Sequence, residues 1–141
     1  MRSYKIYTIV FLFLVLLSCD EKFVIVDCSD CQEEEPVDVT VTVAIDNREN
    51  SETTINVYEG SIEDNILIKS FYSNSNEAQI RLTVNRRYTF TAVYRSLRNS
   101  NTTVVVNSVY PRVRYETSQC PNPCYYVYDT NVRLKLKYKN F

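Results

Sequence analysis

The stretch VDVTVTVAI, residues 37–45, decides how the rest of this chain is read. Val37, Val39, Val41, Val43 and Ile45 fall on one side of an extended backbone; Asp38, Thr40, Thr42 and Ala44 fall on the other. A strict period of two marks a strand with one buried face, because successive side chains point to opposite sides. The same alternation recurs down the chain. TTINVYE (53–59) and NILIKSF (65–71) read as the second and third strands. AQIRLTV (78–84) turns Ala78, Ile80, Leu82 and Val84 inward, and RYTFTAVY (87–94) sets Tyr88, Phe90, Ala92 and Tyr94 on one face. NTTVVVNSVY (101–110) supplies the sixth strand, continued past a bulge at Pro111. NVRLKLKY (131–138) is the last, with Val132, Leu134, Leu136 and Tyr138 in and Arg133, Lys135 and Lys137 out. No segment after the first 18 residues sustains a helical period. The expected fold class is all-β, a single β-sandwich of about seven strands over residues 37–141.

Such a chain must turn often, yet Gly60 is its one glycine. Asparagine tolerates the left-handed backbone better than most residues. NREN (47–50), SNSN (73–76) and RNSN (98–101) are therefore the expected turns.

In LTVNRRYTFTA (82–92), Leu82 and Tyr88 are six apart, and Phe90 and Ala92 follow on alternate positions. This resembles the tyrosine corner of fibronectin type III and other immunoglobulin-like domains, where the hydroxyl bonds back to the preceding turn. It is also similar to the tyrosine-led strand of carboxypeptidase-regulatory and transthyretin-like sandwiches. The resemblance covers these eleven residues and implies an immunoglobulin-like sandwich whose strand order stays open.

Ahead of the strands, VFLFLVLLSCDEKF (10–23) runs apolar and then stops in acid. The apolar core from Ile9 to Leu17 is shorter than the roughly 20 residues that cross a bilayer. With Arg2 and Lys5 before it, it reads as a signal peptide over residues 1–18. Leu16, Leu17, Ser18 and Cys19 resemble a bacterial lipobox. That resemblance implies cleavage before Cys19 and acyl chains on it, which would hold the protein to a membrane. An ordinary secretory peptide is the alternative. Asp20 and Glu21 look like the surface-export signal of Bacteroidota lipoproteins, implying the outer membrane and its outer face; in enterobacteria an aspartate there implies inner-membrane retention.

Residues 19–36 form an acidic tether. Eight acids stand against Lys22 between residues 20 and 38, whereas from Val39 onward nine acids face thirteen Lys and Arg. So small a basic surplus gives no case for nucleic acid. Without histidine there is no imidazole base or metal ligand, and body acids such as Glu59, Glu63, Asp64 and Glu116 fall in or beside expected turns, as solvated surface. No enzyme and no cofactor are expected.

The cysteines form the strongest remaining constellation: CSDC with Cys28 and Cys31, and CPNPC with Cys120 and Cys124. Structural zinc, redox chemistry and disulfides compete. Export favours disulfides, so no metal is assigned. If consecutive strands reverse direction, the segment before Val37 and the loop after the sixth strand meet at one end. The bonds are then expected between the pairs, Cys28 or Cys31 to Cys120 or Cys124.

CYYVYD carries Tyr125, Tyr126 and Tyr128, of which Tyr125 cannot share a strand face with the other two. They are the candidate ligand-binding residues, unless their rings pack on the cysteine-rich loop. The functional expectation is a non-catalytic, lipid-anchored binding or docking module with an envelope partner. A glycan-binding accessory of a polysaccharide-capture system is the alternative.

Overall fold

The computed structural model describes residues 25–46, 51–96 and 101–137. The leader, Cys19, the turns expected at 47–50 and 98–100, and Tyr138 lie outside the described residues.

Nine strands are present among the described residues, with two single-turn 3-10 helices at Cys28–Asp30 and Ile62–Asp64. The strands are β1 (Asp38–Ala44), β2 (Ser51–Glu59), β3 (Ile66–Ser73), β4 (Glu77–Thr83), β5 (Tyr88–Ser96), β6 (Thr102–Val109), β7 (Arg112–Glu116), β8 (Cys124–Tyr128) and β9 (Asn131–Arg133). They make three sheets, ordered β4-β1-β9, β3-β2-β5-β6 and β7-β8. The expectation of an all-β chain holds; about seven strands was too few.

The alternating residues set the register. β1 pairs antiparallel with β4, so that Val39, Val41 and Val43 lie opposite Leu82, Ile80 and Ala78. In the second sheet Ile55 and Val57 of β2 lie opposite Ala92 and Phe90 of β5. These inward faces form one core: Val41, Val43, Ile80, Leu82, Val132 and Leu134 belong to the same buried cluster as Ile55, Val57, Phe90, Ala92 and Tyr94. Burying each such aliphatic or aromatic side chain contributes about 1.5–3 kcal/mol.

Tyr94 links the sheets with a polar tip. Its hydroxyl donates to the Leu134 carbonyl at 2.8 Å and accepts from the Asp46 amide at 3.0 Å. Tyr88 is buried at the start of β5, and its hydroxyl donates to the Thr83 carbonyl at 2.9 Å, across the corner that leaves β4. Beside it Asn85 takes φ 60°, as Asn65 takes 54° at its own turn and Gly60 takes 78°. Asparagine does replace glycine in left-handed positions, although Asn65 and Asn85 lie outside the stretches expected to turn. SNSN fills the connection from β3 to β4.

Four readings need correction. Val37 is not a core residue: it is 71% exposed, beyond the last paired position Asp38↔Thr83, and only its carbonyl joins the ladder, accepting from Val84 N. The sixth strand does not run on past Pro111. The β5–β6 ladder stops at Val109, opposite Tyr88 where β5 begins, and buried Pro111, which brings no N–H to extend it, passes the chain to a different sheet. A separate hairpin strand, β7, results. The last strand is only three residues long, because β9 runs parallel to β1 from Thr42 and stops where β1 ends at Ala44. Beyond it Leu134 N still bonds to the Ala44 carbonyl, and Leu136 N to the Asp46 carboxylate at 2.8 Å. The fourth is Glu116, a buried residue at the end of β7 rather than solvated surface.

Candidate functional site

The cysteines and the tyrosine cluster meet on the β7–β8 hairpin, an arm that continues from the end of β6. Asn85 braces its root: its amide donates to the Pro111 carbonyl at 2.6 Å, and its side-chain oxygen accepts from Val113 N at 3.1 Å. Left-handed geometry at Asn85 aims both groups at the same segment. The strands then pair from Arg112↔Tyr128 to Glu116↔Cys124.

The acidic segment ahead of β1 lies along this arm. Gln32 and Tyr125 exchange backbone hydrogen bonds of 2.8 and 2.7 Å, a one-residue antiparallel bridge. Val26 is buried, and its amide donates to Gln119 Oε1 at 3.1 Å. Asp27 caps the short turn that follows by accepting from the Ser29 amide and hydroxyl, which holds its carboxyl below the usual aspartate range. Two disulfides complete the attachment, Cys28–Cys120 and Cys31–Cys124, with Cα separations of 5.6 and 5.5 Å. Both bonds run between the pairs, as expected, and they fix the partners that the sequence left open. The added hairpin does not upset that argument, because β6 still ends where β1 begins: the corner residues Val84 and Asn85 bond to Val37 and to Pro111.

Glu116 closes the arm's tip. One carboxylate oxygen accepts from Ser118 N, Ser118 Oγ and Gln119 N at 2.7, 2.7 and 3.0 Å. Those three donors lower its pKa to about 2. A carboxylate oxygen that takes three donors from its own loop is a structural acceptor. The signal was readable in the sequence as an acid two residues before a serine, the pattern of a side chain bonding nearby backbone.

The three candidate tyrosines do not form one surface. Tyr125 faces Tyr115 across the strands, with ring centroids 4.8 Å apart and planes tilted by 45°. On the opposite face Tyr126 and Tyr128 have centroids 6.0 Å apart and a tilt of 40°. Tyr126 is buried, and its hydroxyl has no hydrogen-bond partner among the described residues. Tyr128 is covered by the Arg112 guanidinium, 4.7 Å from its ring centroid and 5.2 Å from that of Tyr110. Arg112 also pairs with Asp129 at 3.4 Å. The rings are thus largely engaged with neighbours on the arm. Tyr115, outside the candidate set, is the most open of these rings at 53% exposure.

An open pocket of about 340 Å³ is lined by all four cysteines with Glu33, Pro121, Asn122 and Pro123. Another, of about 260 Å³, lies beside β9 and is lined by Ala44, Asn131, Val132, Arg133 and Lys135. Neither brings two carboxylates together.

The outer face of the four-stranded sheet was not singled out in the sequence. Opposite the core residues, one row runs Tyr72, Thr54, Val93, Val104 and the next Ser70, Asn56, Thr91, Val106. No residue of either row is charged. Ser70 Oγ donates to Asn56 Oδ1 at 2.7 Å, and Asn56 Nδ2 to Thr91 Oγ1 at 3.2 Å. Tyr72, Val104 and Val106 are more than half exposed. No protein-family model, curated protein or solved structure matches this chain.

Proposed function

We propose that this chain is a non-catalytic, lipid-anchored lipoprotein of the cell envelope whose body is an immunoglobulin-like β-sandwich that docks a partner. Support for the architecture comes from the two sheets sharing one core and from the Tyr88 hydroxyl bonded back to Thr83. Support for an extracytoplasmic setting comes from the disulfides, since such bonds persist where thiols are not kept reduced.

The observation that carries the reading is the strapping of the segment after Cys19 onto the arm. Cys28 lies nine residues beyond Cys19, and β1 begins nineteen beyond it. A fully extended chain covers at most about 3.4 Å per residue, so the strap shortens the reach from the anchor from about 65 Å to about 31 Å. A body held this close to its anchor suits docking at the membrane surface better than free sampling above it. Radiolabelled palmitate tests the anchor: the wild-type chain should incorporate it and sediment with membranes, and Cys19→Ala should do neither. Label retained by Cys19→Ala would overturn the reading.

The two uncharged rows on the outer sheet face support the second reading, a glycan-binding accessory. Their hydroxyl and amide groups alternate with Val93, Val104, Val106 and Tyr72, matching the mixed polar and apolar faces of an uncharged sugar chain. Retention on neutral polysaccharide columns that Val104→Lys abolishes would favour it over docking to protein.

A further inference from the structure

The two disulfides gather four sulfurs whose arrangement suits a second chemistry. The Sγ atoms of Cys31, Cys120 and Cys124 all lie within 4.8 Å of one another. Cys28 Sγ is bonded to that of Cys120, which puts the fourth sulfur beside them. A tetrahedral zinc with bonds of about 2.3 Å holds its thiolates roughly 3.8 Å apart, so shifts of about 1 Å would suffice for Cys31, Cys120 and Cys124, and Cys28 joins them once its bond to Cys120 opens. Two residues separate Cys28 from Cys31 and three separate Cys120 from Cys124, both within the spacing of paired zinc ligands.

The gathering does not depend on the S–S bonds alone. The Gln32–Tyr125 bridge and the bond from Val26 N to Gln119 Oε1 hold the same two segments together. Pro121 and Pro123 stiffen the loop between the second pair of cysteines. The 340 Å³ pocket lined by all four cysteines gives a cation a path from solvent.

We propose that, once both disulfides are reduced, this cluster binds one thiophilic divalent cation, zinc above all, through Cys28, Cys31, Cys120 and Cys124. Opening the two S–S bonds takes four electrons and four protons. Two equivalents of a dithiol reductant supply them and leave as disulfides. The cation then displaces the four thiol protons to solvent and coordinates the four thiolates. The strap is thus joined to the arm in either state, by covalent bonds when oxidised and through the metal when reduced.

The test uses the chain carrying Cys19→Ser, so that the four cluster thiols are the only ones counted. The protein is reduced with a phosphine under anaerobic conditions, freed of reductant and titrated with Co2+. The expected result is one Co2+ per chain with a thiolate-to-cobalt charge-transfer band, displaced by Zn2+. Zinc should then protect all four thiols from alkylation, and Cys28→Ser/Cys31→Ser should weaken uptake at least tenfold. Absence of saturable uptake would overturn the proposal, as would protection limited to Cys120 and Cys124, or a double variant binding within threefold. Circular dichroism covers the case in which reduction unfolds the chain: zinc restoring the strand signal supports the site, and zinc failing to restore it counts against it.

Discussion

Removing the disulfides one at a time and together should give strongly non-additive losses of stability, and the size of the discrepancy follows from the topology. Cys28–Cys120 and Cys31–Cys124 span 92 and 93 residues. In the chain-entropy treatment, closing a ring of that size stabilises by about 4.6 kcal/mol. The two rings overlap, however, sharing residues 31–120. With either bond in place, the other closes only the small ring through residues 28–31 and 120–124, roughly nine residues around and worth about 2.6 kcal/mol. Cys28→Ser/Cys120→Ser should therefore cost about 2.6 kcal/mol, and the quadruple serine variant about 7 kcal/mol. Cys31→Ser/Cys124→Ser should cost somewhat more than the first pair, because Cys124 is buried. Setting aside that local term, which cancels in a double-mutant cycle, the coupling is about 2 kcal/mol. Urea unfolding of the four proteins measures it, and the slope should rise as the unfolded chain is released. Bonds within each pair would close rings of only four or five residues, independent of one another. Losses that add to within about 0.5 kcal/mol would therefore refute the overlapping clamp.

Three further outcomes follow from single side chains. Tyr88→Phe removes the bond to the Thr83 carbonyl and should lower stability by about 0.5–1.5 kcal/mol; an unchanged urea midpoint would mean that the corner contributes nothing. Tyr94→Phe strips partners from both the Leu134 carbonyl and the Asp46 amide, so the loss should be larger, about 1–3 kcal/mol, and a smaller loss than for Tyr88→Phe would contradict the link between the sheets. Glu116 should titrate with a midpoint near 2 in carboxyl-carbon NMR. Its pKa is depressed on folding, so its contribution is complete above the ordinary glutamate value near 4.5 and is lost as pH falls toward 2. A midpoint near 4.5 would show the loop bonds to be absent.

Period-two alternation sufficed to identify β1, β4 and β5 and their inward faces, since a strand with one buried face must repeat every second residue. That the cysteines bond between the two pairs was legible too, because it rests on which ends of the strands meet; which cysteine of one pair meets which of the other was not, because that is set by how the strap lies along the β7–β8 hairpin. Where the alternation ends was not legible. Val37 continues the pattern of β1 yet lies past its last partner, a fact set by the length of β4. RVRYE also alternates, but whether it extends β6 or opens a new hairpin depends on the sheet that receives it beyond Pro111. The tyrosines teach the same distinction. Sequence placed Tyr125 opposite Tyr126 and Tyr128, because successive strand residues must diverge. Only the tertiary structure covered Tyr128 with Arg112, buried Tyr126, and left Tyr115 the most open of these rings, because exposure depends on which strand pairs alongside and what comes to lie across each face, and neither is written in the local alternation.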